Sequence, residues 1–157
     1  MASSTWEGRI AVPHHHLPLI KDTDLASARR ELGTALPRIL GYYQQDGISL
    51  IASIEAAMHK RDAAAMVLPA HSLKGESRQL GVGRLAEQLL HLEMTARQCI
   101  EDREALPDAL AGDVQSLRAL FHETISYLQR WLDSEALAPR PYPLARAARP
   151  VFGRRAS

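Results

Sequence analysis

A single cysteine, Cys99, stands among 157 residues. The chain therefore closes no internal disulfide and offers no thiolate cluster for zinc. Its apolar neighbours put Cys99 on the inner side of a helix, as a buried, inert thiol. No apolar run reaches the roughly 20 residues that a membrane span needs. The opening stretch, MASSTWEGRIAVPHHHLPLI, lacks a basic start followed by an apolar core, so no secretory leader is expected and a cytoplasmic protein is. A glycine-rich phosphate loop is missing, which leaves ATP binding without support. Ser, His and Asp fall into no recognisable hydrolase arrangement. Lysine is scarce: Lys21, Lys60 and Lys74 are the only three among 19 basic residues, so each one is informative.

What is present is the composition of one globular domain, 46% hydrophobic and 24% charged. The formal charge of +1 is unevenly spread. Residues 139–157 hold Arg140, Arg146, Arg149, Arg154 and Arg155 and no acid, leaving 14 basic against 18 acidic residues, or −4, elsewhere. Residues 1–20 lack a consistent period and carry Pro13 and Pro18, and read as an arm. Residues 21–138 read as the folded domain, and 139–157 as a basic Pro/Arg-rich disordered tail. A basic tail is able to touch nucleic acid or a membrane surface. The acidic domain argues against either as the main role, so neither partner is expected. His14, His15 and His16 sit on an irregular stretch with no supporting carboxylate or cysteine, so no metal is expected there. His59, His91 and His122 are isolated and read as surface or helix-edge residues.

Between the ends the pattern is helix after helix, with no strand-like alternation and no repeat. Asp22 or Thr23 is a candidate cap for a short helix ending at Gly33. Thr34 is a candidate cap for the next, with Leu36, Ile39, Leu40 and Tyr43 on one face and Pro37 harmless in its first turn. Asp46-Gly47 signals a turn. A third helix then carries Leu50, Ile51, Ile54 and Met58 at helical spacing. Asp62 caps a fourth that runs to Leu80, before Gly81 and Gly83 interrupt it. A fifth places Leu85, Leu89, Leu92, Ala96 and Cys99 on one stripe. Pro107, Asp108 and Gly112 mark a loop, and a sixth helix carries Val114, Leu117, Phe121, Leu128, Trp131 and Leu132. One-sided apolar stripes and short connections predict an all-α, antiparallel four-helix bundle with additional short N-terminal helix or helices. The stripe residues are assigned to core. Enough helices are present to close that core within one chain, so a monomer is expected.

The fourth helix carries the chemistry. At 100° per residue, Leu73 and Leu80 share the core side, while His71, Lys74, Gly75 and Arg78 form a separate polar stripe at i, i+3, i+4 and i+7. A neutral imidazole is a good nucleophile near pH 7, since the side chain ordinarily titrates near 6.5. Lys74 is placed to pair with phosphoryl oxygens from one turn away. A mid-helix glycine such as Gly75 costs about 1 kcal/mol relative to Ala. That cost has a use if a partner backbone must approach closely. Arg78, another turn along, is placed to steer an acidic partner. By spacing alone, an exposed histidine beside Lys and Arg is also compatible with an ordinary solvated surface.

His71-Ser72-Leu73-Lys74-Gly75, followed by Leu80-Gly81, Leu85 and Leu92-Glu93, resembles the signature of histidine phosphotransfer domains of bacterial two-component phosphorelays. The resemblance spans about residues 22–133. It implies that His71 is phosphorylated on the ring nitrogen far from the backbone, that Lys74 stabilises phosphoryl charge, and that Gly75 gives a partner access. It places Glu93 where the family often has a polar side chain that orients the imidazole, by the same logic as a catalytic histidine with its carboxylate. The implied partners are response-regulator receiver domains and/or a hybrid histidine kinase. The chain itself would need no cofactor, with Mg²⁺ on the partner receiver. The implied role is a phosphocarrier rather than an independent enzyme; the alternative is a helical adaptor that works without phosphorylation. Two residues depart from the pattern. Glu76 replaces a residue that is small in many members, but lies about 140° round the helix from His71. Pro69 removes a hydrogen bond to Ala65 and predicts a kink or break.

Overall fold

A computed structural model describes residues 17–137. The adjacent histidines and the arginine-rich tail lie outside the described residues. Five α-helices follow one another: α1 (Asp22–Leu32), α2 (Leu36–Lys60), α3 (Ala63–Gln79), α4 (Gly83–Asp102) and α5 (Ala111–Leu137). Short 3₁₀ turns at Gly33–Ala35 and Asp108–Leu110 precede α2 and α5. Helices α2 to α5 form the expected antiparallel four-helix bundle, and α1 is the short additional N-terminal helix. Helix α3 packs most extensively, against α4 and α2.

The core is aliphatic. Ile51 and Ile54 from α2, Met66 and Leu73 from α3, Leu85, Leu89 and Leu92 from α4, and Leu117 from α5 are each at most 1% exposed. Cys99 is buried among them, as its stripe predicts. The N-terminal segment joins this core: Ile20 is buried, and Arg84 donates to the Leu17 carbonyl. Gly81, at φ +73°, turns the chain between α3 and α4 where a Cβ would collide with Asp24 of α1. Glycine is required there both for its backbone conformation and for the close approach of α1.

Local details correct the sequence reading. Asp46-Gly47 makes no turn, and α2 runs unbroken through it. Gly47 is there for packing: a Cβ would lie 2.2 Å from Cζ of Phe121, whose ring meets Tyr43 edge-on at 5.3 Å. Pro69 does not break α3, which is continuous around it. Buried neighbours Met66, Ala70 and Leu73 hold the turns on either side, so one missing N–H is tolerated. Thr34 caps nothing, because the 3₁₀ turn feeds directly into α2. Neither Asp22 nor Thr23 caps α1; Lys21 holds that position, and Asp22 instead accepts from the Tyr127 hydroxyl. Gly112 belongs to α5, not to the preceding loop. Asp62 does cap α3, accepting from Ala65 N–H at 3.0 Å.

Candidate functional site

Among the described residues, the only carboxylate buried as deeply as the core belongs to Glu93 at the α3–α4 seam, whose side chain is 4% exposed. An ionised carboxylate at that depth requires partners. Lys74 Nζ donates to Oε2 at 2.5 Å. His71 Nδ1 lies 2.9 Å from Oε1. Arg97, one turn along α4, donates through Nε at 3.0 Å and Nη2 at 2.9 Å to that same Oε1. Burial alone would raise the Glu93 carboxyl. The hydrogen bonds from Lys74, His71 and Arg97, with the charge of Lys74, more than offset it and bring the group down to about 2.

This fixes the histidine tautomer. An ionised carboxylate only accepts, so Nδ1 carries a proton, and in the neutral form of the ring the lone pair lies on Nε2. Nε2 makes no hydrogen bond among the described residues, and the His71 side chain is 57% exposed. The arrangement is an oriented imidazole with a free nucleophilic nitrogen facing solvent. Lys74, Arg97 and Glu93 together contribute one net positive charge beside it, suited to an arriving anion.

The expected stripe is therefore only partly a surface. His71 and Gly75 are exposed. Lys74 is not: its side chain is 11% exposed and turns into the seam, because Glu93 waits there. Lys74 still has two N–H donors beyond the one given to Glu93. A Cβ on Gly75 would meet no atom within 4 Å, so nothing inside the molecule requires glycine. Arg78 stays outside the cluster, in an exposed 3.7 Å ion pair with Glu87. Arg97 was not singled out in the sequence, although its spacing of four from Glu93 on one helix was a usable signal.

Glu76 faces a different groove, lined by Ile39, Tyr42, Tyr43, Asp46, Gln79 and Leu80. Its Oε2 is buried without a hydrogen-bond partner. Burial, then the charge of Asp46, pushes its carboxyl upward. No group of three or more potential metal ligands occurs among the described residues, and none of their helices is long and apolar enough to cross a membrane.

The family model for the Hpt domain matches residues 38–131. Among solved structures, the chain is similar to histidine-containing phosphotransfer protein B (HptB) from Pseudomonas aeruginosa PAO1. The identity is 26% and the TM-score 0.63, covering 74% of this chain and 96% of that one. The curated proteins give no match. With the match extending from α2 well into α5, the chain belongs to the Hpt domain family.

Proposed function

We propose that this chain is a phosphocarrier of a two-component phosphorelay and that His71 is its phosphorylated residue. The observation that carries the proposal is the hydrogen bond between His71 Nδ1 and buried Glu93, which in the neutral ring leaves the lone pair on Nε2 of an exposed side chain. Nε2 attacks the phosphorus of a receiver aspartyl phosphate. The Nε2–P bond forms as the bond to the aspartate oxygen breaks. Positive charge developing on the ring is met at Nδ1 by Glu93. In the return direction, a receiver carboxylate takes the group back. Lys74 supplies positive charge beneath the phosphoryl oxygens. Gly75 gives the receiver backbone room, and Arg78 steers its acidic surface. Leu68, one turn before His71 on α3, and Met94, next to Glu93 on α4, are large apolar side chains exposed at 70% and 56%. They offer the desolvating contact that a transient partner uses. Receiver domains and hybrid kinases act in the cytoplasm, where this reading places the chain, as a monomer.

The test is transfer of labelled phosphoryl from a phosphorylated receiver. Wild type takes label and His71→Gln does not. Equal labelling refutes the assignment. Full signalling by an unlabelled His71→Gln would establish the adaptor instead.

A further inference from the structure

Resting on the phosphocarrier reading, we propose that Arg97 is a positioning residue: it balances the charge of Glu93 so that the carboxylate orients the His71 ring without promoting its protonation. The two jobs of a carboxylate beside an imidazole conflict. Its hydrogen bond fixes the tautomer and stabilises positive charge as phosphoryl transfer proceeds. Its charge also favours imidazolium, which has no lone pair to attack with.

The two cations of the cluster divide the carboxylate between them. Lys74 takes Oε2 at 2.5 Å. Arg97 places two N–H groups on Oε1, the oxygen that holds the ring. Without Arg97, His71 is the sole remaining donor to Oε1, and the charge on that oxygen acts on the ring. The charged groups facing His71 are Lys74 on its own helix and Glu93 and Arg97 on α4. The Arg78–Glu87 pair lies further along the same seam. Among the described residues, the hydrogen bonds and ion pairs of the cluster run between α3 and α4 for His71 and Lys74 and within α4 for Arg97. Arg97 is 48% exposed, so its influence is partly screened.

The experiment uses the full chain and phosphoramidate, a small donor that needs no docking surface. His71 Nε2 bonds to phosphorus as the P–N bond breaks and ammonia leaves. In Arg97→Gln, the acid limb of the pH–rate profile is expected to move up by about 0.5–1 pH unit. The rate near pH 6 then falls roughly threefold to tenfold, while the rate near pH 8 does not fall. Arg97→Lys, which keeps the charge, restores the wild-type profile. Arg118→Gln, which removes a remote cation paired with Glu55, leaves the profile in place. A profile in Arg97→Gln that is unshifted or uniformly lowered overturns the proposal. So does an Arg97→Lys profile like that of Arg97→Gln. Failure of the underlying reading looks different: wild type itself then takes no phosphoryl from either phosphoramidate or a phosphorylated receiver.

Discussion

Two mid-helix glycines should respond in opposite directions to the same methyl group. Gly75 sits in α3 with an ordinary helical backbone, since only Gly33 and Gly81 among the described glycines have positive φ. A Cβ there meets nothing within 4 Å. Gly75→Ala should therefore recover the full helix propensity difference, about 1 kcal/mol. For a domain of this size the gain raises the melting temperature by roughly 3–5 °C. Gly47 also sits mid-helix, but its Cβ would lie 2.2 Å from a ring atom of Phe121. That ring is 4% exposed and held edge-on against Tyr43, so it cannot swing clear. Overpacking of this kind costs about 1–3 kcal/mol and outweighs the propensity gain, leaving Gly47→Ala about 1 kcal/mol less stable. Thermal melts followed by helical circular dichroism read both signs. The functional half of the prediction concerns Gly75 alone. The more stable protein should accept phosphoryl from a receiver about tenfold more slowly, the equivalent of ~1.4 kcal/mol of lost docking. A Gly75→Ala protein that is stabilised and transfers at the wild-type rate would refute the idea that glycine is kept for partner access. One that is not stabilised would refute the reading of the open Cβ position.

Three further outcomes follow from named contacts. Glu93 is held well below its ordinary carboxyl range, so its contribution to stability is present above about pH 4.5 and is lost as pH falls toward about 2. Acid titration of Glu93→Gln should show a flatter decline over that window than wild type, and an identical decline would contradict the assignment. Glu76 has the opposite sign: its raised pKa means that its effect on stability turns unfavourable as pH climbs through the carboxyl range. Glu76→Gln should accordingly gain stability relative to wild type at pH 7 but not at pH 3, as measured by urea midpoints. Removal of the α3 cap in Asp62→Ala should cost about 1 kcal/mol in the same measurement, because the Ala65 N–H loses its side-chain acceptor.

The helices are legible because their apolar stripes are one-sided, and Gly33, Asp62 and Gly81 mark the end of α1 and both ends of α3. At Gly47 and Pro69 the local signal misleads for one reason: a glycine or proline reads as punctuation while its meaning depends on packing. Gly47 looks like a turn residue until Phe121, 74 positions away in the chain, is brought beside it. Pro69 looks like a break until the core packing on both sides of it is seen. Nothing local carries that information, because local propensities are weak beside the packing of a whole helix face.

The site divides in the same way. His71, Lys74 and Gly75 share one helix, so their common stripe follows from a 100° rotation per residue. Direction is another matter. Lys74 lies on that stripe yet ends 11% exposed, because a carboxylate from α4 draws it into the seam. The family resemblance points to Glu93 beside the ring; it does not gather Lys74 and Arg97 around that carboxylate. Their number matters more than their presence. One carboxylate facing one imidazole favours the protonated ring, which binds an anion but has no lone pair to attack with. One carboxylate among two fixed cations can instead hold a neutral ring by a hydrogen bond and still leave net positive charge for the phosphoryl group. On the proposed reading a carrier must both accept and release its cargo, and the Lys74–Glu93–Arg97 cluster would provide orientation and charge without consuming the second ring nitrogen of His71.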